Sequence, residues 1–371
     1  MTTINEIMKS KKNYAFYKKA DYGLDFPRLY TGIFSLDYCT GGIPVGVTTT
    51  FYGNPSSGKS SSALKLLGIA QKTCWNCFEF LWDCKCGSTL KKKSVVVTNE
   101  GFDIERAAQL GCDISELIVA EPATGEECVD IIYECLNADD CGVVLLDSFS
   151  RVIPEAEIYD PALTNHMGKR AQLHTKLMNK VKSTLLINKR RKNNTCFIAI
   201  NQMRAKIGGG MFGPTEEMSG CYATKHDWHL SCRLGALSVK GDMVDQQTEL
   251  PLVSRHSLSL VSPGIKRKIF TLAGKGEFLL ALENTPEYKI GDSCDHKTTI
   301  EFAVKLELLD KTGWKLFDVD YGTRKAMIEK WQSDPEHYLT VKRRIIEHAA
   351  NVKRGLIEKT EIQETVAAEE G

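Results

Sequence analysis

From residue 47 onward, short apolar runs alternate with stretches of helical period. Residues 47–52 predict a strand that ends in a glycine-rich loop. Residues 61–70 then place Ala63, Leu64, Leu66, Leu67 and Ala70 on one helical face. Residues 94–98, 142–146 and 196–200 are further short, mainly apolar runs, as buried strands of a parallel sheet are. Each ends in a polar pair: Asn99-Glu100, Asp147-Ser148 and Asn201-Gln202. Ligands of open α/β sheets sit outside the carboxyl ends of the strands, so the three pairs predict one shared site.

Two stretches have no period. Residues 151–165 carry Pro154 and Pro161, and residues 203–219 carry Gly208, Gly209, Gly210, Gly213 and Pro214. Irregular loops of this length in a compact domain are functional or disordered. Runs at 257–261, 268–272 and 277–282 are spaced like an antiparallel extension of the sheet, and a helical lobe is expected from about 300 to 348. The chain has no internal repeat and no low-complexity tract.

A chain of 371 residues has room for one large core with smaller pieces at its ends. Apolar content of 42% with 26% charge, and no apolar run near the roughly 18 residues that span a bilayer, exclude a membrane protein. The first twenty residues mix Lys, Asn and Glu without an apolar signal core, so an intracellular, cytoplasmic protein is the default. A net charge of +1 gives no global field for nucleic acid, so DNA binding would rest on local basic surfaces. Residues 324–354 hold eight Lys/Arg against four Asp/Glu, and residues 355–371 hold one Lys against five Glu. This contrast is either a solvated helix face with a frayed end or a DNA-contacting lobe with a regulatory tail. Thirteen cysteines, an odd number, lie mostly in apolar segments such as Thr195-Cys196-Phe197-Ile198 and predict reduced core thiols.

The glycine loop Gly53, Asn54, Pro55, Ser56, Ser57, Gly58, Lys59, Ser60 matches the phosphate-binding pattern G-x-x-x-x-G-K-S. Its backbone N–H groups converge on phosphates, Lys59 reaches the β and γ oxygens, and Ser60 ligates Mg²⁺, with Ser61 next in the helix. Asp147, at the end of its apolar strand, is the complementary carboxylate that holds the metal through its hydration shell. Glu100 is expected to end the strand beside the P-loop strand and to activate the attacking water. Gln202 is placed as a γ-phosphate sensor, since an amide gains or loses a bond to a phosphate oxygen, and a glycine-rich loop follows it directly.

The order of these and further motifs resembles the bacterial and phage RecA-type recombinases from about residue 30 to 348. The series comprises Thr31-Gly32 with Ser35-Leu36-Asp37, the P-loop, Glu100, Leu110-Gly111 with Asp113, Pro122 with Thr124-Gly125-Glu126, and Asp147-Ser148. It continues through Ala156-Glu157-Ile158, His166-Met167-Gly168, Asn201-Gln202 with Arg204, Lys206-Ile207-Gly208 and Met211-Phe212-Gly213. The resemblance implies an α/β fold: a RecA-like P-loop ATPase core with a mostly parallel central sheet, a small N-terminal segment and a C-terminal helical or α+β lobe. The expected boundaries are 1–30 for a polymerisation segment, 31–285 for the core, 286–354 for the lobe and 355–371 for an acidic tail.

The resemblance further implies a helical filament on single-stranded DNA, with ATP between neighbouring subunits. Such a filament pairs its strand with a homologous duplex, exchanges strands, and works with loader or mediator proteins. Residues 151–165 and 203–219 are similar to the family's two DNA-binding loops. Met167, Gly168, Lys169, Arg170, Arg204, Lys206, Ile207, Gly208, Gly209, Gly210, Met211, Phe212 and Gly213 are the DNA-contact candidates. Their glycines let backbone approach phosphates, and Met211 and Phe212 either pack against bases or pack on the domain. Lys266 and Lys268 resemble the lysines that reach a neighbour's ATP, and Asp103 resembles the adenine-side contact. Here Glu100 and Asp103 are one residue closer than in the family, and Arg106 replaces an aromatic residue.

Between the P-loop helix and the strand of Glu100 lies an insert, residues 73–92, where the family makes a short turn. Cys74 and Cys77 form a C-x-x-C knuckle, and after six intervening residues Cys84 and Cys86 form a C-x-C pair. The four are either ligands of one tetrahedral structural Zn²⁺ or free thiols in an aromatic loop. A DNA-dependent ATPase recombinase is the leading functional expectation. A ring-forming helicase or repair ATPase of the same superfamily, and a passive DNA-coating scaffold, are the alternatives.

Overall fold

The described residues of the computed structural model are 26–161, 168–205, 216–220, 222–245, 248, 250–260 and 269–357, so the N-terminal segment and most of the acidic tail lie outside them. The chain divides into two compact units, the first ending at Cys294 and the second beginning at Asp295.

The first unit opens with a short ribbon, β1 (Arg28–Leu29) paired to β2 (Ile43–Pro44), around helix α1 (Phe34–Thr40). Buried Asp37 organises this entry. Its carboxylate accepts from Thr31 N at 2.8 Å, Thr31 Oγ1 at 2.8 Å and Gly32 N at 2.9 Å. The chain then winds through β3 (Thr48–Gly53), α2 (Lys59–Ala70), β4 (Lys93–Thr98), α3 (Ile104–Gln109), β5 (Leu117–Ala120), α4 (Gly125–Asn137) and β6 (Cys141–Asp147). It continues with α5 (Glu155–Tyr159), α6 (Lys169–Arg191), β7 (Cys196–Ala205), β8 (Glu216–Met218), α7 (Tyr222–Lys225), β9 (Leu230–Leu237), β10 (Val253–Ser259) and β11 (Lys275–Ala281).

Among the described residues the main sheet has the order β5-β4-β6-β7-β3-β9-β10-β11, with β8 paired to β7. The pairings from β5 across to β9 are parallel, and β10, β11 and β8 join antiparallel. Alternate residues of each strand face opposite sides, and both sides are covered. Val143 and Leu145 of β6 meet Phe51, Ile198 and the Ala63, Leu66 and Leu67 stripe of α2 in one core. Val144 and Leu146 meet Tyr52, Phe197, Ile132 of α4 and Leu177 and Val181 of α6 in the other. Helix α4 begins where Thr124 Oγ1 accepts from Glu127 N and Glu127 reaches back to Ala123 N.

Three expectations need correction. Strand β7 does not stop at residue 200 but runs to Ala205, because Met203–Ala205 finds a partner in β8, a long-range pairing with no local signature. The stretch from 151 is not wholly irregular either, since Pro154 caps the short helix α5. Residues 269–272 are not a strand. The Leu272 N–H bonds to the Cys39 carbonyl instead, and the next strand begins at Lys275.

The second unit contains α8 (His296–Lys305), a meander of β12 (Leu309–Asp310), β13 (Lys315–Leu316) and β14 (Val319–Asp320), α9 (Arg324–Ser333) and α10 (Pro335–Lys353). Its centre is polar at one point: buried Lys342 lies 3.3 Å from Asp295 Oδ2, and Tyr338 OH donates to Asp295 Oδ1 at 2.7 Å. The excess of cations in this unit is answered locally by the pairs Lys325–Glu329, Lys330–Asp334, Arg343–Glu347 and Arg344–Asp318. That favours the solvated-face reading of its charge. No helix among the described residues is long and apolar enough to cross a membrane.

Asp37→Ala strands two buried N–H donors and a hydroxyl at once. It is expected to destabilise the first unit by about 3 kcal/mol, read as a lower urea midpoint.

Candidate active site

The P-loop joins β3 to α2 at the carboxyl edge of the sheet. A Cβ on Gly53 would stand 2.0 Å from the Leu234 carbonyl oxygen, so the loop leaves β3 hard against β9 only because residue 53 has no side chain. Gly58, at φ 83°, caps α2, and Lys59 and Ser60 open that helix. The unpaired N–H groups of its first turn make the loop a site for anions. Asn54, Pro55 and Ser56 are exposed at its apex, whereas Ser57 and Lys59 are buried. Lys59 Nζ donates to Asn54 O at 2.7 Å and Ser57 Oγ at 3.3 Å. Burial pushes the Lys59 ammonium pKa down, against the opposing pull of Asp147 and Glu100.

Ser60 Oγ donates to Asp147 Oδ2 at 2.9 Å. A hydroxyl and a carboxylate this close form a hard oxygen pair suited to Mg²⁺ beside phosphate. Burial pushes the Asp147 carboxyl up to about 6, with the Glu100 charge adding to the rise and the Ser60 bond and Lys59 opposing it.

Glu100 is not on the strand beside β3. Strands β7 and β6 lie between β3 and β4, and the fully buried run around Phe197 and Ile198 occupies the central place. A turn past the end of β4, held by Thr98 Oγ1 to Gly101 O at 3.1 Å, still brings Glu100 to the site. Its Oε1 receives Ser148 Oγ at 2.5 Å, Gln202 Nε2 at 3.1 Å and Arg151 Nε at 3.3 Å. The Glu100 carboxylate and the Gln202 amide are thus in direct contact.

Gln202 also belongs to the stem of the second irregular loop. Its carbonyl accepts from Ser219 N at 2.8 Å, and Asn201 Nδ2 donates to Ser219 O at 2.9 Å. Beyond it, β7 and β8 form a two-stranded stem with Arg204 opposite Glu217. Glu216, at the foot of β8, accepts from Asn54 of the P-loop at 3.3 Å and pairs with Arg233 at 3.5 Å. Lys206 to Gly213, Met167, Lys266 and Lys268 lie outside the described residues.

The other candidates separate. Gly168, at φ 89°, caps α6, and Lys169 is exposed. Arg170 makes a two-pronged pair with Glu157 of α5, so its charge is taken up within the first irregular segment. Asp103 caps α3 by accepting from Arg106 N at 2.9 Å. Sequence reasoning missed Ser148, Arg151 and Glu216. The first two follow Asp147 by one and four positions and were open to suspicion as neighbours of the metal carboxylate. Glu216 meets Asn54 across 162 residues, and no local pattern marks that meeting.

The four insert cysteines converge. Cys74 and Cys86 sulfurs lie 3.6 Å apart, Cys77 and Cys84 3.6 Å, and Cys84 and Cys86 3.3 Å, all four within 4.8 Å of one another. Thiolates on one tetrahedral ion with bonds of about 2.3 Å stand roughly 3.8 Å apart, so the donor set fits one soft divalent ion. The remaining cysteines differ: burial pushes the Cys196 thiol up to about 12, as for an inert core residue.

The model of the RecA N-terminal domain matches residues 3–260. The chain belongs to the RecA family. Protein RecA of Ureaplasma parvum serovar 3 is 30% identical over 331 residues, covering 87% of this chain and 87% of that protein. Protein RecA of Colwellia psychrerythraea is 29% identical over 298 residues, covering 78% and 74% respectively. The mitochondrial DNA repair protein recA homolog of Dictyostelium discoideum is 28% identical over 301 residues, covering 79% of this chain and 58% of that protein. RecA-family proteins are DNA-dependent ATPases that use ATP with Mg²⁺ and form filaments on single-stranded DNA.

The Asp147 shift has a signed consequence. Its folded-state carboxyl titrates near 6 against an ordinary value of 3.8, so the folded chain holds that proton more tightly than the unfolded chain. The Asp147 contribution to stability therefore falls as pH rises from about 4 to about 6. Asp147→Asn is expected to flatten this part of the curve relative to the unsubstituted protein in thermal melts without Mg²⁺ or nucleotide.

Proposed function

We propose that this chain is an ATP-driven recombinase that coats single-stranded DNA as a helical filament, pairs it with a homologous duplex and exchanges strands. The observation that carries the reading is the 3.1 Å contact between the Gln202 amide and the Glu100 carboxylate, with Gln202 built into the stem of the second loop. A passive coat has no use for that link, and the match to RecA proteins along most of the chain favours the recombinase over the ring helicase.

In this reading the P-loop N–H groups and Lys59 would hold the ATP phosphates, and Ser60 and Asp147 would hold Mg²⁺, which would supply charge neutralisation for phosphoryl transfer. Glu100 accepts the proton of the attacking water. Ser148 and Arg151 aim its carboxylate. Gln202 exchanges its bond to Glu100 for one to the γ-phosphate, and Glu216 couples Asn54 to the same stem. The loop at 206–213 then meets DNA with its glycines, Arg204 and Lys206 at the phosphates and Met211 and Phe212 against bases. Met167, Gly168 and Lys169 contribute from the first loop, and Arg170 does so only on leaving Glu157. Lys266 and Lys268 complete the ATP site of the next subunit, and Asp103 borders the adenine. The segment 1–30 mediates polymerisation, and the protein acts in the cytoplasm. The four-cysteine insert holds one structural zinc, because four protein ligands leave no open position for chemistry.

Single-stranded DNA is expected to stimulate ATP hydrolysis. Glu100→Gln should retain ATP binding and filament formation while turnover drops by about 10² or more. Hexameric rings in electron micrographs, or turnover indifferent to DNA, would refute the assignment.

A further inference from the structure

The cysteine insert lies at the opposite edge of the sheet from the nucleotide site, between the end of α2 and the start of β4. Its path is tightly pinned. Cys74 N bonds to Glu79 O at 2.8 Å, Phe78 N to Cys74 O at 2.7 Å and Leu81 N to Lys72 O at 2.9 Å. Between the first two ligands stands Trp75, which is 2% exposed and belongs to the same core as α2.

Trp75 touches three elements. Its Nε1 donates to Ala70 O, in the last turn of α2, at 3.3 Å. Its ring fills the space beside Gly142, where a Cβ would come within 2.5 Å of Cζ2, so β6 begins directly against the indole. Lys92, at the foot of β4, places its ammonium 5.9 Å from the ring centroid and donates to Asn193 and Asn194 beyond α6. The far ends of two of these elements carry the nucleotide ligands: Lys59 and Ser60 open α2, and Asp147 closes β6.

We infer that the metal-bound cysteine loop is a clasp that joins the C-terminal end of α2 to the start of β6 through Trp75, and so keeps the Ser60–Asp147 pair in register from about 20 Å away. The inference rests on the zinc reading of the four cysteines. The backbone bonds pin each turn of the loop locally, and the ion would add a cross-link between its C-x-x-C and C-x-C halves, which fixes the seat of the indole between Cys74 and Cys77. With the ion bound, the loop is closed at both ends and Trp75 is held on Gly142. The clasp therefore adds rigidity where the sheet lacks help from the P-loop, and it adds no chemistry.

The test uses the full-length protein and three measurements: metal content by elemental analysis, thermal melting, and amide exchange across β6. About one zinc per chain is expected. Its removal with a thiol-reactive mercurial and chelator, followed by reversal of the mercurial with dithiothreitol, should lower the melting temperature. It should also speed exchange in Cys141–Asp147 at least about tenfold, with α8 and α10 unchanged, and added Zn²⁺ should reverse both effects. Trp75→Leu keeps all four thiols, so it should retain the zinc and still reproduce the faster β6 exchange. A protein that carries no metal overturns the zinc reading and the clasp together. Zinc that can be removed without altering β6 exchange overturns the clasp alone, as does a Trp75→Leu protein whose β6 exchanges like the unsubstituted one.

Discussion

The carboxyl ends of β3, β4, β6 and β7 lie side by side because the four strands run parallel, and nearly every proposed nucleotide-site group depends on that alignment. Parallel strands need crossovers on both faces, and two-sided burial forces each strand to be apolar along its length. Within these strands the buried polar side chains are small hydroxyls such as Thr48, Thr49, Thr50 and Ser94, and the charged and amide groups collect where a strand leaves the sheet. Lys59, Glu100, Asp147 and Gln202 stand at such exits, and the crossovers α2, α4 and α6 bury the rest.

Within that edge the geometry is one of shared oxygen atoms. Glu100 Oε1 gathers a hydroxyl, an amide and a guanidinium, and Asp147 Oδ2 takes the Ser60 hydroxyl. A group that withdraws one donor from Glu100 changes what the others do, and in the proposed reading Gln202 is that donor. The stem of the second loop is linked to the site twice, through Gln202 and through Glu216 on Asn54. Gln202 stands at the base of the stem and Glu216 at its loop end, opposite Ala205, so the two contacts constrain its orientation better than one.

The insert treats the opposite edge of the sheet differently. This chain spends some twenty residues, four thiols and a buried tryptophan on it. Ordering a segment so short is costly, and one ion shared by the four thiols would lower that cost. Gly142 is the complementary feature: its missing side chain is the seat of the indole.

By itself the sequence determined the α/β class, the P-loop with Lys59 and Ser60, the carboxylates Glu100 and Asp147 at strand ends, and the four-cysteine knuckle. Each rests on local regularity, either apolar period or fixed spacing, and local regularity is written in consecutive residues. Strand order was decided only by the tertiary structure, which put β7 and β6 between β3 and β4. So were the extension of β7 to meet β8, the three donors on Glu100, the Glu216 contact to Asn54 and the seating of Trp75 on Gly142. Such features join residues tens to hundreds of positions apart. Their energy comes from shape and hydrogen bonding between surfaces that exist only after the sheet has closed, so no window along the chain contains them.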